Sequence, residues 1–221
     1  MRLLVILLAL AACSASGPAR EDGMLAIGDS ILAWNGDNGI PDVAAARLGL
    51  PLRDATVSGA RLIEDRPSRT AIGLDIQRQW EANAGRWAWV ILDGGGNDLR
   101  PVCREDAAIP ARDQLIGPDL TGVIPDLIAR IRDTGSRAVF VGYYDGAEAS
   151  PTGFTPCQPH FTVMNERLSR LAARDPGLIF LDAGNVIDPA RTDLYDRDLT
   201  HPSPEGSRLI GEALAARIAG Q

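Results

Sequence analysis

Five short runs, most of them nearly continuously apolar at their centres and separated by stretches of helical periodicity, constrain this 221-residue chain more than any other feature. They fall near residues 24–28, 52–57, 87–93, 137–143 and 178–182, and two of them centre on Val139-Phe140-Val141 and Ile179-Phe180-Leu181. A strand that is apolar on both sides needs cover on both faces, the condition of a parallel sheet wrapped by helices. Between the runs, Leu120, Val123, Ile124, Leu127, Ile128 and Ile131 recur at helical spacing, with Pro125 demanding a kink or a later start. Met164, Leu168, Leu171 and Ala172 repeat the pattern after His160. The last helix has a readable beginning: Ser203 can cap it, Pro204 suits its first turn, and Leu209, Ile210, Ala213, Leu214 and Ile218 would form its buried side. The expectation is an α/β fold, a flavodoxin-like, doubly wound five-stranded parallel sheet with helices on both faces. Such sheets bind ligands beyond the carboxyl ends of their strands.

The length suits one domain with a full core, and no internal repeat suggests a second. Met1-Arg2, the apolar stretch 3–10 and Ala11-Ala12-Cys13 have the three regions of an export signal, too short for a comfortable membrane span. Leu10-Ala11-Ala12-Cys13 also resembles a bacterial lipobox, whose cysteine is lipidated and becomes the mature N-terminus. The expected organisation is a signal segment at 1–13 with Cys13 as lipid anchor, a small polar linker at 14–22, and one catalytic domain at 23–221. That places the protein in a bacterial envelope, anchored and facing the periplasm, or secreted if the lipobox is not used. A net charge of −7 without a basic cluster argues against nucleic acid as a partner. All 22 basic residues are Arg, which excludes a Ser-Lys dyad, a Schiff-base lysine and a P-loop.

Four motifs sit where these strands should end. Gly28-Asp29-Ser30 follows the first, Gly59 the second, and Gly95-Gly96-Asn97-Asp98 the third, while Asp198-Leu199-Thr200-His201 precedes the last helix. In this order the blocks resemble the SGNH branch of the GDSL esterase and lipase family, with Ser30, Gly59, Asn97 and His201 as the matching residues. The resemblance runs from about Met24 to the C-terminus. Ile31 replaces the Leu of the first block, and the Asn and second Gly that often flank the second are absent around Thr56-Val57-Ser58-Gly59.

The resemblance implies a serine hydrolase fold and mechanism, and the residue types suit it. A serine hydroxyl needs a base to take its proton as it attacks, a task for neutral imidazole. His201 is the candidate base and Asp198, three residues earlier, can hold its Nδ1 proton. A Ser30–His201 dyad with Asp198 as a solvated loop acid is the alternative. The backbone N–H groups of Ser30 and Gly59 and the Asn97 amide would form the oxyanion hole, with Gly59 letting backbone approach substrate closely. Asp29 and Asp98 read as hydrogen-bonding supports. The second histidine, His160, is a rival base or a pocket residue.

Cys103 and Cys157 follow the third and fourth strands, and in an exported protein a bond between them is favoured. A metal at Cys157, His160 and Cys103 lacks a matching second half-site, and free thiols are the third option. The flanking loops, 100–117 and 144–161, together with Ile31 and Trp34, are candidate specificity determinants, although Trp34 could equally be plain core. With no segment large enough for a lid domain, an open, shallow site is expected, favouring short acyl groups. The expected function is hydrolysis of carboxylic esters, or of thio- or carbohydrate O-acyl esters, by a monomer through an acyl-enzyme, without cofactor or metal. An acyltransferase with the same residues, or a non-catalytic envelope protein binding a glycan or lipid, are the alternatives.

Overall fold

The computed structural model describes residues 22–221. The signal segment with Cys13, and the linker up to residue 21, lie outside the described residues. Five strands, β1 (Met24–Ile27), β2 (Leu52–Asp54), β3 (Trp89–Leu92), β4 (Arg137–Gly142) and β5 (Leu178–Asp182), form one parallel sheet in the order β2-β1-β3-β4-β5. Between them run helices α1 (Ser30–Ala33), α2 (Ile40–Leu48), α3 (Pro67–Thr70), α4 (Ile76–Ala82), α5 (Gly96–Leu99), α6 (Ala108–Leu115), α7 (Val123–Asp133), α8 (Gln158–Ala172) and α9 (Pro204–Ala219). The order is the flavodoxin-like one. The chain leaves β1 toward one edge and resumes at β3 on the other side, so the crevice of the fold opens at the carboxyl ends of β1 and β3.

β1, β3 and most of β4 are fully buried, as their apolar sequences require. β2 is shorter than the strand expected at 52–57 because Asp54 folds back to accept the Thr56 N–H (2.8 Å), although the Ala55 and Val57 N–H groups still donate to Ala26 and Gly28. α7 begins at Val123, which puts Pro125 in the first turn, where no interior hydrogen bond is lost. Ser203 caps α9 by accepting the Gly206 N–H at 3.2 Å. Its buried stripe is rotated from the expected one: Gly206, Ser207, Gly211 and Ala215 join Ile210, Leu214 and Ile218, while Leu209 and Ala213 are only partly covered. The cause is Gly211, whose missing Cβ lets α9 lie against α2; a Cβ there would meet Val43 Cβ at 2.6 Å and the Ile40 carbonyl at 2.8 Å. Burying Ile210, Leu214 and Ile218 contributes about 1.5–3 kcal/mol each.

The β1–β3 register sets up the site. Ile27 pairs with Leu92, so the next residues, Gly28 and Asp93, meet side by side at the end of the sheet.

Candidate active site

The residues after β1 and β3 interlock through buried carboxyls. Gly28 turns the chain at φ +148°, and a Cβ there would fall 1.8 Å from Asp93 Oδ1, so only glycine fits. Asp29, 1% exposed, donates its N–H to Asp93 Oδ1 (2.7 Å) and caps α1 by accepting from Ile31 N–H (3.1 Å). The helix cap is therefore Asp29, and Ser30 is left as the first residue of α1 with its hydroxyl free for other work. Asp29 Oδ2 accepts from the Tyr143 hydroxyl (2.7 Å) and from Asn97 Nδ2 (3.2 Å), and the Tyr143 oxygen accepts the Gly96 N–H (2.8 Å).

Burial, reinforced by the charge of Asp29, pushes the Asp93 carboxyl well above the ordinary carboxylate range. Burial and the same neighbours raise Tyr143, which stays a hydroxyl donor. Asp98 accepts the N–H groups of Ile63 (2.8 Å) and Leu62 (3.1 Å), tying the β3 turn to the loop after Gly59. Burial outweighs those two bonds and pushes it up to about 6.

The other half of the site is one tight loop. Asp198 Oδ1 accepts the backbone N–H groups of Thr200 and His201, both at 3.0 Å, and Oδ2 contacts His201 Nδ1. Burial alone would raise the Asp198 carboxyl, but hydrogen bonds from the His201 amide and ring and the Thr200 amide hold it below the usual range. His201 Nε2 lies 2.7 Å from Ser30 Oγ. The imidazole also stacks on Trp34, with centroids 3.8 Å apart and planes 7° from parallel. Trp34 Nε1 in turn donates to Asp196 Oδ2 at 2.8 Å, and Asp196 N–H donates to the His201 carbonyl at 2.8 Å. Trp34 is thus neither plain core nor a wall of the substrate pocket but a platform for the histidine ring.

An imidazole so placed can accept the serine proton as Oγ attacks a carbonyl, with the carboxylate facing Nδ1 to balance the charge. His160 stands in the first turn of α8 and is not among the residues lining the pocket at Ser30.

The three expected oxyanion donors differ in readiness. Among the described residues, neither the Ser30 nor the Gly59 N–H has an acceptor. Gly59 has a φ of +84°, a backbone conformation that favours glycine, and within the protein the nearest atom to an added Cβ would be Leu74 Cδ2 at 3.7 Å. Asn97 Nδ2 already donates to Ala60 carbonyl (3.1 Å) and Asp29 Oδ2 (3.2 Å). An oxyanion would have to draw one of those hydrogens away.

A narrow pocket of about 20 Å³ of accessible space opens beside Ser30, lined among others by Asn97, Tyr143, Tyr144, Phe154, Phe161 and His201. Residues of the 144–161 loop and the start of α8, among them Thr152, Phe154, Gln158 and Phe161, form part of its wall. The 100–117 loop does not line it but reaches it indirectly, through a Cys103–Cys157 disulfide and through Arg100, whose guanidinium lies 5.1 Å from the Phe154 ring centre. The disulfide uses both thiols that a metal at Cys157 would have needed. Among the described residues, no group of three or more His, Cys, Asp or Glu is placed to hold a metal, and no helix is long and apolar enough to cross a membrane.

The sequence profile of the GDSL-like lipase/acylhydrolase family matches residues 26–209, and the chain belongs to this family. It is a hydrolase of the GDSL/SGNH type. Among solved structures it is similar to a Lactobacillus plantarum protein, with a TM-score of 0.63 at 19% identity over 90% of this chain and 97% of that one. It is also similar to the lipase Lip_vut3 from a goat rumen metagenome, at 0.60 and 17% over 88% and 96%. A third similar structure is a carbohydrate esterase family 2 enzyme with a carbohydrate-binding domain from Corynascus thermopiles (Myceliophthora fergusii), at 0.62 and 18% over 93% and 68%. At these identities the likeness is one of fold. No curated protein matches the chain.

Proposed function

We propose that the protein is a serine esterase that cleaves carboxylic esters through an acyl-enzyme on Ser30, with His201 as base and Asp198 as its partner. The observation that carries the reading is the 2.7 Å approach of His201 Nε2 to Ser30 Oγ, with Asp198 on the opposite ring nitrogen. As Oγ bonds to the ester carbonyl carbon, its proton passes to Nε2. The carbonyl oxygen becomes an oxyanion, facing the N–H groups of Ser30 and Gly59 and the Asn97 amide. Collapse breaks the bond to the alcohol oxygen, which leaves with the proton from Nε2. Water then adds by the same route and releases the acid, regenerating Ser30.

Asp29 serves in this scheme as the resting acceptor for Asn97, kept in place by the Tyr143 hydroxyl when the amide turns to the oxyanion. The family match and the lipase and carbohydrate esterase among the similar structures support ester hydrolysis over the binding-protein alternative. Anchoring through Cys13 to an envelope membrane, with the catalytic domain beginning near Gly23, is part of the proposal and rests on the sequence Leu10-Ala11-Ala12-Cys13. The test is turnover of p-nitrophenyl acetate by the protein and its Ser30→Ala variant. Hydrolysis by the former and a loss of about 10⁴-fold or more in the latter is expected; equal rates in the two would overturn the assignment.

A further inference from the structure

We infer that the pocket beside Ser30 is an acyl pocket sized for an acetyl group, with Phe154 as its fixed wall, so that the natural substrates are acetate esters. The inference rests on the esterase reading and adds the part of the substrate that the site retains. In an acyl-enzyme the alcohol departs past His201 and water enters by the same side, so that side has to stay open. The acyl group remains bonded to Ser30 and occupies whatever closed space adjoins it. The pocket that touches Ser30, Asn97 and His201 is backed by the buried rings of Tyr143, Tyr144 and Phe161, a setting that suits a group held through the acyl-enzyme.

Its size sets the limit. One water needs at least about 10–15 Å³ of such space, and the pocket offers about 20 Å³. A methyl group fits, whereas a propyl or pentyl chain would have to displace a wall.

The wall that such a chain would meet is held from several sides. The Phe154 ring lies 5.1 Å beneath the Arg100 guanidinium and 6.4 Å from the Phe161 ring. Its N–H donates to Thr152 Oγ1 at 3.2 Å, and the next turn, Thr155–Cys157, ends in the disulfide to Cys103. Tyr143 and Phe161 are stacked at 4.5 Å, which closes the far side. Arg100 follows directly on α5, the turn that carries Asn97, so the segment that supplies the oxyanion donor also fixes the acyl wall. Because the ring is braced rather than free, longer acyl chains are refused instead of accommodated.

The experiment is kcat/KM for p-nitrophenyl acetate, butyrate and hexanoate with the wild-type protein and Phe154→Ala. One methylene in a closely fitted pocket changes kcat/KM by roughly 10–200-fold. The wild type should therefore favour acetate over hexanoate by about 100-fold or more, and Phe154→Ala should reduce that ratio about tenfold or more. The ratio is taken within one preparation, so partial misfolding leaves it unaffected, and Phe154→Leu reads the same ratio if the alanine variant yields no folded protein. A wild-type ratio near one, or a preference for hexanoate, overturns the acetyl assignment, and an unchanged ratio in both variants overturns Phe154 as the wall. Failure of the esterase reading looks different: none of the three esters turns over and Ser30 does not react with a fluorophosphonate.

Discussion

The two halves of the site are built in opposite ways. The histidine half is local and partly wet: Asp198 and His201 are three residues apart, with side chains 42% and 13% exposed, and their geometry comes from one turn closed by the Asp198 carboxylate on two backbone N–H groups. The serine half is buried and assembled across the chain. Asp29 reaches Asp93, Asn97 and Tyr143, which are 64, 68 and 114 residues away, and every group in that cluster takes its position from another. A local turn can lose a member and keep its fold. A buried cluster cannot, because each deletion leaves a polar group without a partner in a dry place. The histidine half should therefore show its defects in rate alone, and the serine half in rate and stability together.

The largest effect separating them is expected at Asp198. Asp198→Asn removes the charge facing Nδ1 and should lower kcat by about 10³–10⁴-fold, while the urea midpoint shifts little. A small loss of rate would instead favour the Ser30–His201 dyad. Tyr143→Phe makes the opposite demand. It deprives Asp29 Oδ2 of a donor and the Gly96 N–H of its acceptor, at about 1–3 kcal/mol for each orphaned group. Urea unfolding should show a loss of about 2–5 kcal/mol, with a fall in kcat as Asn97 loses its support. If Asp198→Asn proves the more destabilising of the two, the contrast between the halves is wrong.

The pH dependence sharpens the same contrast. Asp98 keeps its proton in the fold up to about 6 against a reference value of 3.8. The folded chain thus binds an extra proton between those values. This carboxyl favours the fold most below 3.8, and the contribution is lost as pH rises through about 6, by up to about 3 kcal/mol. Unfolding of Asp98→Asn followed from pH 4 to 7 should lack that part of the slope; an unchanged profile would assign the proton elsewhere. The smallest effect is expected at Trp34. Trp34→Leu removes the stacked ring and its bond to Asp196, and an aromatic pair is worth about 0.5–1.5 kcal/mol. A decrease in kcat of roughly 2–10-fold with little change in KM follows.

The same division governs what could be read from the sequence. Strand positions follow from runs such as Val139-Phe140-Val141, and the α9 start from Ser203-Pro204, because both signals are local. Asp198 and His201 were legible for the same reason, three residues apart on one loop. Tyr143 and Asp93 carry no such signal: a tyrosine ending one strand and an aspartate ending another acquire meaning only when the β1–β3 and β3–β4 registers bring them to Asp29. Trp34 stands close to the nucleophile in sequence, but its stacking on a ring 167 positions later lies beyond any spacing rule. The buried stripe of α9 was misplaced because periodicity counts apolar side chains, and here a glycine, Gly211, makes the closest contact. The length of the 144–161 loop says nothing of Phe154 lying against Arg100 beside the disulfide, because both contacts come from a separate segment of the chain.

The most direct measurement is the intact mass of the protein after exposure to a fluorophosphonate, with the modified peptide identified and His201→Ala treated in parallel. The account predicts one adduct, on Ser30, with labelling slowed by about 10³-fold or more in the variant. No adduct on folded wild-type protein, or equal labelling with and without His201, would contradict it.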